Sequence, residues 1–201
     1  MIKSKILYLV SCVVFSLGAS YFIRSGLGTD PLDVFCLGVQ NTAGLKIGTT
    51  QCAFALACLA LWSSLNSWKM PPWSTFLTFF LCGYMIDFLR WNIPTFNNAY
   101  FNMVFGSILC LQGSAGIIAS GFGIRAMDLV SLSLEDKLNI PFWISKASFE
   151  TALLASGHIL GGPVGIGTVV FLVVVGYLIQ PCVILNERVL TKFGLYVKMK
   201  V

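Results

Sequence analysis

Asp33 and Asp128 stand ninety-five residues apart, and each follows a Gly-x-Gly turn at the same distance, Gly26-Leu27-Gly28 before the first and Gly121-Phe122-Gly123 before the second. Two carboxylates in equivalent settings could bind a cation or a proton, or orient a solute, near the centre of the molecule. The same positions also suit helix capping. Pro31 is well placed to open a helix, Thr29 or Asp30 can accept from its first amides, and Asp33 falls in its first turn. Arg125, beside the second turn, either biases the site toward an anion or pairs with Asp128. Glu150 lies one turn beyond Lys146, so it is either a coupling acid that carries a proton or half of an i,i+4 ion pair whose lysine snorkels to the surface. The candidate binding residues are therefore Gly26, Gly28, Asp33, Gly121, Gly123, Arg125 and Asp128, with Glu150 as the coupling residue. Asp87 and Arg90, at i,i+3, suit an interfacial pair.

Composition decides which elements must position these groups. Of 201 residues, 57% are hydrophobic and 10% charged, with a mean hydropathy of +0.84. A soluble domain carries about 25% charged residues, so this chain cannot hide its apolar surface from water in one core. It reads as an all-α integral membrane protein whose first partner is the lipid bilayer. That excludes a soluble enzyme, a nucleic-acid-binding module and a disulfide-stapled secreted domain. The net charge of +5 comes from lysines and arginines in short loops and tails, not from a basic face. The seven cysteines form no Cys-x-x-Cys spacing and His158 is the only histidine. No metal site or cofactor is expected, and the cysteines read as small core hydrophobes.

Six stretches read as long and apolar enough to cross a hydrocarbon core of about 30 Å as transmembrane helices: Ile6–Ile23, Thr50–Leu65, Ser74–Leu89, Phe101–Ser120, Ile144–Leu160 and Val164–Leu185. Trp68-Lys69-Met70-Pro71-Pro72-Trp73 separates the second from the third with an interfacial belt and a breaker. The basic amino terminus resembles a signal peptide, yet no clear cleavage site follows and further apolar segments do, so it is expected to remain as the first span. With both termini in the cytoplasm, ten lysines and arginines fall inside and only Arg24, Lys46 and Arg90 outside. That bias predicts a bacterial inner-membrane orientation, with residues 186–201 a basic cytoplasmic tail.

The ninety-five-residue register extends well beyond the aspartates. Gly18 falls on Gly113, Ser25 on Ser120, Phe54 on Phe149, Ala57 on Ala152, Leu59 on Leu154 and Gln51 on Lys146. After a two-residue gap, Gly83 to Asp87 meets Gly176 to Gln180. Residues 5–93 and 98–185 are thus two copies within a single membrane domain. A copy with three spans has an odd number, which inverts the second relative to the first, a plan common among secondary transporters. Each copy also predicts a short helix after its Gly-x-Gly turn, ending near Ala43 and Leu138. A helix of that length is re-entrant or interfacial.

Gly26-Leu27-Gly28-Thr29 with Pro31, Asp33 and Val34, together with Gly44-Leu45-Lys46-Ile47-Gly48-Thr49 and Gly162-Pro163-Val164-Gly165-Ile166-Gly167-Thr168, resembles the YczE/YyaS/YitT-type family of bacterial integral membrane proteins. The resemblance runs from about Leu17 to Pro181 and implies a cytoplasmic-membrane protein with duplicated halves and no established substrate. The second half departs from the pattern at Arg125-Ala126 and at Ile140-Pro141-Phe142-Trp143, so the halves are not equivalent.

The leading expectation is a permease-like secondary transporter or exporter of a small solute at the repeat interface. The alternative is a membrane scaffold that supports a partner enzyme or biosynthetic complex. Small residues on the fourth span would suit a homodimer. An enzyme is poorly supported. Gly113-Ser114-Ala115-Gly116 has a superficial likeness to the Gly-x-Ser-Gly of rhomboid proteases, but its serine is displaced and His158 lies in the fifth span. The Gly162–Thr168 turn lacks the lysine of a phosphate loop.

Overall fold

Glycine, proline and tryptophan punctuate the apolar pattern, and these breaks become the turns of the computed structural model, which describes residues 2–71 and 73–192. All regular structure among the described residues is helical. The helices are α1 (Ile2–Arg24), α2 (Pro31–Ala43), α3 (Ile47–Leu65), α4 (Trp73–Asn92), α5 (Ala99–Ala119), α6 (Ala126–Leu138), α7 (Phe142–Ile159) and α8 (Ile166–Lys192). Three, namely Ser4–Arg24 within α1, α3 and α5, are long and apolar enough to cross a membrane. A fourth is reached if α8 counts as one span despite a bend of 49° between Val173 and Tyr177. Pro181 lies beyond that bend, inside the second segment. It has no N–H for the Tyr177 carbonyl and its ring crowds that oxygen.

α1 and α5 cross at the centre of the molecule, and glycine makes the crossing close. A Cβ on Gly18 would stand 2.5 Å from the Cys110 backbone nitrogen, and one on Gly113 would stand 2.5 Å from that of Phe15. Both contacts join the same two registers, since Phe15 and Cys110 are also ninety-five residues apart. Gly106 and Gly116 meet α1 as well, at Phe22 and Ser11, so the small residues of α5 are taken up inside the chain. α4 packs on α1 and α8 on α5. The short helices cross over, α2 lying on α7 and α6 on α3. α3 closes on α4 through Gly48 and Gly83. α7 and α8 are not packed along their length in that way.

The two turns that precede the short helices share detailed geometry. Ser25 Oγ donates to the Phe22 carbonyl at 2.6 Å and accepts from Leu27 N at 3.2 Å. Ser120 Oγ does the same with Ile117 at 2.6 Å and Phe122 at 3.2 Å. Gly26 and Gly121 take the left-handed φ that these turns need, +69° and +64°. The short helices then run thirteen residues each and end on left-handed caps, Gly44 in one and Asn139 in the other. All seven cysteines are free thiols, five of them buried.

Gly113→Val is expected to force α1 and α5 apart and to destabilise the protein by about 1–3 kcal/mol. Thermal unfolding in detergent checks this against Ile108→Val, on the outward face of the same helix, which should leave the midpoint within a degree or so.

Candidate functional site

A cavity lies where the amino-terminal ends of α2 and α6 meet. All eight helices reach its wall, with Phe15, Leu32, Gln51, Phe79, Ser114, Met127, Glu150 and Phe171 as one representative from each. Asp30 and Arg125, the residues immediately before α2 and α6, line it too. The space open to the centres of water-sized molecules is about 50 Å³, and an adjoining pocket of about 30 Å³ shares Ser114, Arg125, Glu150 and Phe171 and adds Lys146. One water needs roughly 10–15 Å³ on that measure, so the cavity admits several waters or one small solute. Its wall is mostly apolar, with few polar groups, as small-molecule sites are.

At the α2 end, Asp30 is the N-cap, and its Oδ1 accepts from Asp33 N at 2.6 Å. Asp33 therefore does not cap. Its carboxylate turns inward, is 1% exposed, and accepts from Gln51 Nε2 at 3.0 Å. Neither Asp30 nor Asp33 forms an ion pair among the described residues.

The α6 end has the same geometry with different charges. Arg125 holds the N-cap position without a capping bond and donates from Nε to Asp128 Oδ2 at 2.9 Å. Lys146, in the register of Gln51, donates to Asp128 Oδ1 at 3.3 Å and pairs with Glu150 at 2.9 Å. Arg125, Asp128, Lys146 and Glu150 thus form one charge-neutral chain. Both sequence pairings, Arg125 with Asp128 and Lys146 with Glu150, are present.

Of the residues singled out in the sequence, Arg125 and Glu150 are in the cavity wall, while Asp33 and Asp128 stand behind it and hold Gln51, Arg125 and Lys146 in place. The glycines lie at the turns. Gly28, at φ +106°, fits against the start of α8, where a Cβ would stand 2.6 Å from Thr168 Oγ1. There Thr29 N donates to Thr168 Oγ1 at 3.2 Å, and Gly167 N to the Leu27 carbonyl at 2.8 Å. Gly123 meets the Tyr8 ring and Thr78, which are themselves joined at 2.9 Å. Thr75, the third residue of α4 as Thr168 is of α8, has a buried hydroxyl with no hydrogen-bond partner among the described residues. A Cβ on Gly26 would meet open space, so that Gly26, like Gly121, is required there by its positive φ. Ser114 is in the cavity wall, whereas His158 is exposed on α7.

Two residues do more than their spacing suggested. Asp30 combines its cap with a place in the cavity wall. Asp87 is more than an interfacial partner of Arg90, which it meets at 3.8 Å. Its two oxygens accept from Ile47 N at 3.2 Å and Gly48 N at 2.8 Å, capping α3 from α4. The missing signal was in α3, which begins at Lys46-Ile47-Gly48 without a capping side chain of its own and so requires an acceptor from elsewhere.

These features define an all-helical membrane protein with a small charged cavity among its helices. Residues 2–183 match the model of a family of unknown function, DUF6198, and the chain belongs to that family. It is 26% identical to the uncharacterised protein YyaS of Bacillus subtilis (strain 168) over 189 residues, which cover 90% of this chain and 92% of YyaS. It is 23% identical to the uncharacterised membrane protein YczE of the same organism, over 86% of this chain and 82% of YczE. An uncharacterised protein of Haemophilus influenzae is 22% identical over 89% of this chain and 82% of its own length. The resemblance read from the turn motifs therefore holds over nearly the whole chain. No solved structure matches it.

Lys146→Met leaves Asp128 and Glu150 short of their shared cation. With side chains of the pair about one-fifth exposed, the loss should lie at the lower end of the roughly 3–5 kcal/mol typical of breaking a buried pair. Adding Glu150→Gln should recover part of it in thermal unfolding. Asp87→Ala is expected to cost about 1–2 kcal/mol, as for a lost N-cap, and amide exchange should rise first at Ile47 and Gly48.

Proposed function

We propose that the chain is a secondary transporter, a permease or exporter of a small solute, with the cavity as its binding site. The carrying observation is the meeting of two short-helix amino termini, Asp30 on one and Arg125 on the other, at a mostly apolar cavity walled by every helix. Transporter sites take this form, with broken helices pointing their termini at a solute between two halves. The reading places six spans in two inverted units of three, with α2 and α6 re-entrant. The matched bonds of Ser25 and Ser120, and the exchange of short helices between halves, support it. The lysine and arginine bias supports a bacterial inner-membrane orientation with cytoplasmic termini. In this arrangement Glu150 couples through Lys146, because a proton on Glu150 would release the lysine toward Asp128 alone.

One observation favours the scaffold reading instead. Asp30, Asp33 and Asp128 are all engaged in structural bonds. Access to the cavity separates the two. Ser114→Cys, in a variant lacking the native cysteines and reconstituted in vesicles, should react with a membrane-impermeant thiol reagent added at either face. Reaction from one face only, or from neither, would remove the transport reading and leave the scaffold.

A further inference from the structure

The cavity carries its charge unevenly. At the α6 end, Arg125 and Lys146 are matched by Asp128 and Glu150, and the helix terminus adds about half an elementary positive charge. At the α2 end, Asp30 and Asp33 accept hydrogen bonds from the α2 backbone and the Gln51 amide, and the helix terminus sets about half a positive charge against two carboxylates. Arg125 and Lys146 act on Asp30, and Arg90 on Asp33, from beyond ion-pair distance. Arg90, the other buried cation, is occupied by Asp87 and Gln40. With all four carboxylates ionised, the groups in and behind the cavity wall are short of about one positive charge, and in surroundings where an unpaired carboxylate is costly a bound cation or a proton must supply it. Asp30 is 92% buried by the complement of its 8% exposure, and only its Oδ1 is committed, to Asp33 N.

We propose, resting on the transport reading above, that the solute is a small monovalent organic cation, an amine or quaternary ammonium, held by the Asp30 carboxylate. Its apolar body would lie against Phe15, Phe79 and Phe171, which line the same space. Aromatic faces with one carboxylate recognise a poorly hydrated ammonium. A metal ion would demand several converging ligands, and no group of three or more His, Cys, Asp or Glu suited to one exists among the described residues. Arg125, at the opposite end of the cavity, repels a second cation and so limits occupancy to one.

The experiment is ligand-dependent thermal unfolding of the purified full-length chain in micelles. Three compounds of similar bulk are compared at matched ionic strength: tetramethylammonium, glycine betaine and pivalate. Tetramethylammonium should raise the midpoint in a saturable manner, and the zwitterion and the anion should not. Asp30→Asn keeps an N-capping side chain and should fold while losing the tetramethylammonium response. Phe79→Leu should keep the response with an affinity about fivefold weaker, from the lost cation–π contact. An equal or larger response to betaine or pivalate, no response to any of the three, or a response that survives in Asp30→Asn would overturn the proposal. Binding in micelles without flux of labelled tetramethylammonium into vesicles would retain the cation site and defeat the transport reading. Two-sided labelling of Ser114→Cys without cation-specific stabilisation would do the reverse.

Discussion

The rest of the structure depends on how closely α1 and α5 approach. Where Gly18 and Gly113 remove a side chain, backbone meets backbone, and dispersion between close-packed main chains replaces the hydrophobic drive that lipid cannot supply. Everything else is arranged around that crossing. α4 and α8 lean on its two members, and the turns that follow α1 and α5 lead into the two short helices whose starts line one cavity. If the crossing were wider by one side chain, the starts of α2 and α6 would no longer share a cavity.

That cavity is a second consequence of the same economy. The amino terminus of a helix cannot be left unsatisfied away from water. The start of α2 solves this locally with the Asp30 cap, whereas the start of α6 has no capping side chain and instead carries an Arg125–Asp128 ion pair. Because one start presents a carboxylate and the other a neutral ion pair, two turns of matching geometry yield an unevenly charged chamber. Gln51 and Lys146 extend the contrast, since each donates to the aspartate behind it while only one brings a positive charge.

Much of this was legible in the chain because it is local. The Gly-x-Gly turns, the short helices ending near Ala43 and Leu138, and the pairings of Arg125 with Asp128 and Lys146 with Glu150 all follow from spacing within a few residues. The ninety-five-residue register carried further, since it aligned Ser25 with Ser120 before their bonds could be seen. What spacing could not supply was contact between distant elements. Asp87 lies forty residues from the amide of Ile47 that it caps, and nothing beside it marks that role. The Gly-x-Gly turns pointed toward the centre, but packing against Thr168 and Tyr8 sets them at the edges of the cavity. Asp30 read as a cap alone because a cap was sufficient to explain it.

The two threonines at the starts of α4 and α8 are unequally employed. Thr168 takes the Thr29 amide, while the Thr75 hydroxyl is buried without a partner among the described residues, and Ile124 holds in the second half the place of Thr29 in the first. The start of α4 thus keeps an acceptor of the kind that Thr168 uses, with no amide engaged to it, and a buried hydroxyl left unsatisfied costs about 1–3 kcal/mol.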